Sequence, residues 1–310
     1  MKLLLVLLQL TFMTYNVENL FDTRHDTLKN DTEFTPMGEK GWNETRLRTK
    51  IHRIMQVITA QEELPVLVGL CEIENDSVLI RMTTGRYSRL NYGFVHYESS
   101  DTRGIDVALL YRKDVFTVDT SFATKIENVP REILYVRGHL HNHGIINVIQ
   151  VHAPSRRGGA IATTPLRCKV AAFIKHMTDS ILATDSVANI LIMGDFNDSP
   201  SDVALYDVLK AVPPTSNHSY DSLYNLTWTL HNEGFGTYFY QEEWSILDHI
   251  IVSGAMLEGA SGIQLKPSAT IYSPEWLKDK NGHPRRTFLG NFYNGGISDH
   301  FPLIVSTSEK

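Results

Sequence analysis

Apolar residues in this chain gather into short continuous runs that stop at polar residues, interrupted by two stretches with helical spacing. Leu10 to Tyr15 reads as an apolar strand ending at Asn16. From Thr45 the period lengthens: Leu47, Ile51, Ile54 and Ile58 recur at four, three and four, with Arg46, Lys50 and Arg53 among them, which predicts an amphipathic helix. Pro65 ends it, and Val66 opens a buried strand that closes at Glu72. A polar helix or loop follows to Arg89.

Gly104 to Arg112 predicts another apolar strand. Ile133 to Leu140 and Ile145 to Val151 predict a pair joined by the turn-like HNHG, so His139, His141 and His143 read as hairpin residues rather than ligands. Leu166, Val170, Phe173, Met177 and Ile181 mark a second amphipathic helix. Ala188 to Met193, Tyr238 to Tyr240, Ser245 to Val252 and Phe301 to Thr307 complete the strands. Strands outnumber long helices and hairpins mix with crossovers, which favours stacked mixed sheets with helices outside over one doubly wound sheet. GxGxxG and GxxxxGK[ST] are both absent.

Polar residues stand where these strands stop: Asn16 after TFMTY, Glu72 after LVGLC, His152 after NVIQV, Asp195 and Asn197 after LIMG. Asp299 and His300 stand just before FPLIV. Strand ends of this kind can converge on one rim. Glu72, Asp195 and Asp299 are hard oxygen ligands suited to Mg²⁺ or Mn²⁺, while two cysteines and no HExxH argue against zinc. Beside such a cation His300, held by a carboxylate, can take a proton from water, and His152 can donate to a phosphoryl oxygen.

The strings TYNVENL, GLCEIEN, RGIDVALLYR, VHAPSRRGG, LIMGDFNDSP, SILDHIIVS and GGISDHFPL, in that order from Thr14 to Leu303, resemble the endonuclease/exonuclease/phosphatase superfamily. In motif style they are nearest to bacterial secreted or uncharacterised members. The resemblance implies a DNase I-like four-layer α/β sandwich, two stacked mixed β-sheets flanked by helices, in a single domain over residues 1–310. It implies a divalent-metal-dependent phosphoester hydrolase acting by in-line water attack, a phosphodiesterase or endonuclease in the first place. Phosphatase or phosphodiesterase action on small-molecule or lipid-head-group phosphoesters is the alternative, and an inert phosphate-binding module the non-enzymatic one.

Residue by residue, the resemblance implies that Asn16 and Glu72 are the first amide and the principal metal-binding glutamate. Asp195 and Asn197 match the GDFN aspartate and asparagine, Asp299 and His300 the terminal pair, and Asp248 the carboxylate that orients His300. His152 matches a DNase I-like histidine where abasic endonucleases carry a tyrosine, which weakens an abasic-site reading. Asp106 in RGID is a candidate partner for His152, or a structural cap or salt bridge. Mg²⁺ or Mn²⁺ is the implied cofactor.

Arg156 and Arg157 follow His152 in a Gly-Gly loop, and Arg103 precedes Gly104; these are candidate phosphate contacts. So are Arg285 and Arg286, which with Phe288, Phe292 and Tyr293 can form a basic and aromatic wall, or leave the arginines to solvent while the aromatics pack. Trp42, Arg46 and Lys50 are open between a second wall and ordinary core and helix-face roles. The formal charge of −6 disfavours a protein held on nucleic acid by a broad basic surface, though not a local basic pocket. DNA or RNA therefore stays among the substrates, and a monomer is expected. Cys71 and Cys168 read as free thiols. The N-terminal MKLLLVLL is open between a leader remnant and a strand extension over residues 1–9, so cytoplasmic and exported locations both stand.

Overall fold

The computed structural model describes residues 9–308. Residues 1–8, on which the leader or strand-extension reading turns, lie outside them. In chain order the first strands are β1 (Thr11–Leu20), β2 (Leu67–Ile73), β3 (Tyr92–His96), β4 (Asp106–Arg112), β5 (Phe116–Thr124), β6 (Ile133–Leu140), β7 (Gly144–His152) and β8 (Asn189–Asp195). Then come β9 (Ala211–Val212), β10 (Leu223–Asn225), β11 (Tyr238–Tyr240), β12 (Glu243–Ser245), β13 (Asp248–Ser253), β14 (Thr270–Ile271), β15 (Phe288–Leu289), β16 (Phe292–Tyr293) and β17 (Leu303–Ser306). The main helices are α1 (Glu44–Thr59), α2 (Asp76–Thr83) and α3 (Ala160–Thr184).

Two mixed sheets result, ordered β14-β17-β1-β2-β4-β3 and β5-β6-β7-β8-β13-β10-β9. Alternation along each strand decides which layer a side chain enters. Phe12, Leu67 and Leu109 of the first sheet meet Val148, Leu191, Met193 and Ile250 of the second in a core between the sheets. Their neighbours Met13, Val68, Leu70 and Leu110 face Leu47, Ile51, Ile54 and Ile58 of α1. On the far side Ile149, Ile190 and Ile192 face Val170 and Ile174 of α3. The four layers are those of a DNase I-like α/β sandwich, and among the described residues no helix is long and apolar enough to cross a membrane.

The helix predicted from Thr45 is capped by Asn43, whose side-chain oxygen accepts from the amides of Thr45 and Arg46. The second helix begins earlier than its apolar spacing suggests, running through Pro165 from Ala160. β3 and β5 have no counterpart in the sequence reading. Each is the end strand of its sheet, so its outer edge has no strand partner and its residues need not be apolar. Trp42 is core, donating from Nε1 to the Phe21 carbonyl at 2.9 Å. Lys50 is buried too, with Nζ on the Glu18 carbonyl and 2.8 Å from Thr287 Oγ1, so it is no surface cation. Cys71 and Cys168 are free.

Candidate active site

Asp195 is the hub of the site. It ends β8, paired on one side with His152 at the end of β7 and on the other with Asp248 at the start of β13. The preceding Gly194 has φ +139°, and a Cβ there would sit 1.9 Å from the Val151 carbonyl oxygen, so only glycine lets β7 and β8 close here. Asn197 returns with φ +53°, its amide N–H on Asp195 Oδ1 at 2.9 Å and its side-chain NH₂ on the Ala153 carbonyl at 3.1 Å.

The first sheet supplies the opposite wall. Its register shifts after Asn16 in β1 and between Cys71 and Ile73 in β2, where Glu72 has φ +66°. The bulge turns Glu72 toward the site. Asn16 Nδ2 bridges the sheets, donating to Asp195 Oδ2 at 3.0 Å and Glu72 Oε1 at 3.3 Å, while the Asn19 amide donates to Glu72 Oε2 at 2.8 Å.

His300 Nδ1 bonds Asp248 Oδ2 at 2.7 Å, and its Nε2 lies 3.9 Å from Asp195 Oδ2 and 4.0 Å from Asp299 Oδ1. His152 Nε2 stands 3.7 Å from Asp195 Oδ2 and 3.9 Å from Glu72 Oε1. Asn16, Glu72, His152, Asp195, Asn197, Asp248, Asp299 and His300 thus meet in one cleft between the sheets.

Electrostatics separate the two histidines. Burial by itself lowers His300, but Asp248, through its charge and hydrogen bond, and the charges of Asp195 and Asp299 carry it up to about 10. Burial holds His152 well below its usual value, helped by the charges of Arg131, Arg103 and His300. Asp195 is pushed up to about 7, by burial first and by Asp248, against the pull of His300. A buried carboxylate that resists ionisation beside further carboxylates is the setting a hard divalent cation relieves. One group of candidate ligands is Asp195, Asp248 and His300. Asp248 Oδ1 is buried without a hydrogen-bond partner, and Glu72, 15% exposed, opens the set to solvent. The oxygen donors present fit Mg²⁺ or Mn²⁺.

Asp106 is not the partner of His152. The shift at Glu72 sets Asp106 opposite Ile73, two residues before Ala108, on the sheet face turned to the helices. There its Oδ2 lies 3.0 Å from His96 Nε2 and its Oδ1 accepts the Ser99 amide. His96, Glu98 and Asp106 form a second group of potential ligands, but both His96 ring nitrogens already engage carboxylates, Asp76 at 2.7 Å on the other side. His152 Nδ1 is buried with no partner.

The arginines divide. Arg156 holds the GDFN loop, donating to the Asn197 carbonyl at 2.8 Å and Asp202 at 2.7 Å, so it is not free for a phosphate. Arg157 is exposed. Arg103 lies 3.5 Å from Asp101 with its side chain half exposed, close enough for its charge to depress His152. Arg285 donates to the Asn294 carbonyl, and Arg286 reaches Tyr238 Oη at 3.1 Å and Asp299 Oδ2 at 3.5 Å. Phe288 packs in the core against Trp42 and Tyr293, leaving Phe292 exposed, so that aromatic run is no continuous wall.

Three supports escaped the sequence reading. Arg131, buried, donates from Nε to the His152 carbonyl at 2.9 Å, from Nη2 to the Ala153 carbonyl at 2.8 Å and from Nη1 to Asp101 at 2.7 Å. Ser298 Oγ donates to the Asn16 carbonyl at 2.6 Å and accepts the His300 amide, locking the SDH turn to β1. Tyr238 is bridged to His300 through the backbone, their ring centroids 4.8 Å apart. Ser298 lies inside the SDH string and could have been found; a lone arginine and a tyrosine carry no local signal.

A family model described as the Endonuclease/Exonuclease/phosphatase family matches residues 11–309. No curated protein sequence matches significantly. Among solved structures, humanised D. rerio TDP2 aligns at TM-score 0.62 and 14% identity, covering 97% of this chain and 99% of that one. An endonuclease/exonuclease/phosphatase from Bacteroides vulgatus aligns at 0.61 and 15%, covering 97% and 99%. The human Nocturnin catalytic domain with bound sulfate anion aligns at 0.57 and 17%, covering 97% and 94%. At these identities the likeness is one of fold.

Proposed function

Because the chain belongs to the endonuclease/exonuclease/phosphatase family, whose common denominator is metal-dependent phosphoester hydrolysis, we propose that it hydrolyses phosphodiesters by in-line attack of water. Polynucleotides are the first substrate class. The observation that carries the reading is the Asp248–His300 pair, at 2.7 Å, opening on a cleft that also holds Glu72, Asp195 and His152.

Asp248 fixes the His300 tautomer so that Nε2 faces the reacting water. At about 10, His300 is protonated at neutral pH in the uncompensated carboxylate cluster, and it accepts a proton only when that negative charge is offset. Glu72, with Asn16, Asp195, Asn197 and Asp299 as further donors, would hold Mg²⁺ or Mn²⁺, which when bound would supply that positive charge and offset the charge of the phosphoryl oxygens. His152, kept neutral by burial and Arg131, is a hydrogen-bond donor from Nε2 to a phosphoryl oxygen, its backbone clamped by Arg131. Arg157, which is exposed, and Arg103, half exposed beside Asp101, are cations proposed for the scissile phosphate. The chain's net acidity favours a second reading, small-molecule or lipid-head-group phosphoesters.

The test is Mg²⁺- and Mn²⁺-dependent turnover by wild type and Asp195→Asn on plasmid DNA, single-stranded DNA, RNA, bis-p-nitrophenyl phosphate, inositol phosphates and sphingomyelin. Cleavage of polynucleotides that the substitution abolishes is the expected result. Activity confined to small or lipid substrates moves the assignment to the second reading. Binding without any turnover returns it to an inert module.

A further inference from the structure

Residues 238–245, YFYQEEWS, fold back as the β11–β12 hairpin, with Tyr238 opposite Ser245, Phe239 opposite Trp244 and Tyr240 opposite Glu243. Alternation gives the hairpin two unlike faces. Phe239 and Trp244 turn to the body: Phe239 stacks on His283 with centroids 3.6 Å apart and planes at 10°, and Trp244 stacks on Phe301 at 6.0 Å. The other face is open. Tyr238 lies 4.8 Å from the His300 ring, and Tyr240, 57% exposed, lies 6.2 Å beyond it with planes at 26°. Three ring faces therefore lead outward from the histidine that faces the reacting water.

On the side of the hairpin that carries Phe239 and His283 is a cavity of about 420 Å³ that reaches Asp299. Its wall carries Lys278, Lys280, Arg285 and Arg286 against only Asp279 and Asp299. In a chain of net charge −6 this cationic excess is a local feature. Among the described residues Lys278 pairs only with Glu275, itself 91% exposed, and Arg285 bonds a backbone carbonyl. Asp279 Oδ1 is occupied by the amides of Asn281 and His283. Arg286 joins the two features, its guanidinium 5.6 Å from the Tyr238 ring centroid and 3.5 Å from Asp299.

Isolated exposed aromatics need no explanation, but a graded row that starts at the catalytic histidine and is joined through Arg286 to a cationic cavity does. Resting on the phosphodiesterase reading, we propose that the hairpin and cavity form a subsite for a single-stranded polynucleotide. The base next to the scissile phosphate stacks on Tyr240, and the following phosphate enters the cavity between Lys280, Arg285 and Arg286. A duplex hides its base faces and cannot use the row. Glu243, the cross-strand partner of Tyr240, repels phosphate from the stacking face and so keeps base and phosphate on their own sides.

The test is fluorescence anisotropy of the full chain in EDTA with a labelled ten-nucleotide single strand, its RNA counterpart, the matching duplex and an abasic backbone of equal length. Wild type is expected to bind the single strand tighter than the duplex or the abasic chain. Tyr240→Ala is expected to weaken the single strand roughly 5- to 150-fold, the range of a lost base–aromatic stack, and to leave the abasic chain nearly unaffected. Lys280→Glu should weaken all single strands and flatten the salt dependence. DNA and RNA arms decide which sugar is preferred.

A Tyr240→Ala affinity within twofold of wild type, with an unchanged melting temperature, overturns the proposal; so does equal affinity for duplex or abasic chain, or no binding. Turnover of bis-p-nitrophenyl phosphate without oligomer binding removes the subsite and leaves the phosphodiesterase reading standing. Oligomer binding as expected with no turnover of any diester removes that reading and leaves the subsite.

Discussion

Replacing Arg131 with methionine keeps an unbranched apolar stem and deletes the guanidinium, with its charge and all its donors. The structure sets the size of the effect. Arg131 and Asp101 are buried and 2.7 Å apart, and two further guanidinium nitrogens hold the His152 and Ala153 carbonyls. Breaking a buried pair from one side costs about 3–5 kcal/mol. Asp101 keeps the Arg103 amide at 2.8 Å, so the lower half of that range is expected, even with two carbonyls losing a charged donor. In Arg131→Met/Asp101→Leu no charge is stranded, and the combined loss should fall at least about 1 kcal/mol short of the sum of the single losses.

The assay is urea unfolding in EDTA at pH 7, repeated toward acid. Burial raises Asp101, but Arg131 and Arg103 outweigh it and hold the carboxyl below its usual value. Its contribution is therefore present above the unfolded carboxyl's pKa, about 3.9, and fades as pH falls through the lower folded one. The gap between wild type and Asp101→Asn should shrink in that window. His152 should also titrate higher in Arg131→Met, since a positive neighbour is gone. A loss under about 1 kcal/mol, or strict additivity in the double variant, would mean that Arg131 and Asp101 are not a coupled buried pair.

Asp248→Asn should cut kcat about 10²- to 10⁴-fold with little change in KM, by removing the acceptor that sets the His300 tautomer; steady-state kinetics showing only a raised KM would exclude that role. Asp195→Asn, inactive, should nonetheless be more stable than wild type in EDTA, by at least about 1 kcal/mol above pH 7. The sign follows from a folded pKa of about 7 against about 3.9 unfolded: the ionised form is disfavoured in the fold, so the cost grows between those values and is flat above. Mg²⁺ should stabilise wild type more than the variant, and a thermal melt series in EDTA and Mg²⁺ reads both effects.

Most of the sandwich could be read because its central strands are buried on both faces and therefore continuously apolar, as in Val66–Cys71 and Ile190–Met193. β3 and β5 could not, since an edge strand needs no such run. The strand-end residues were legible for a related reason. A carboxylate or histidine placed directly after a buried strand has no core role, so Glu72, His152 and Asp195 stood out by position as well as by motif. Asp106 failed this test in a useful way: its string matched, yet alternation along β4 puts it on the same outer face as Ala108 and Leu110, toward His96.

Periodicity and residue type alone placed the central strands, the hard-oxygen and imidazole groups that end them, and the order of motifs that marks the family. These are local properties, set by periodicity and by residue type. The tertiary structure decided the pairings: Asn16 with Asp195, Ser298 with Asn16, Arg131 with the backbone of His152, Tyr238 with the ring of His300. Asn16 and Ser298 stand 282 positions apart, and no local pattern encodes such a contact. It exists only because closing two sheets face to face carries the strand ends to one rim, where burial makes each unpaired charge costly and so selects its partner.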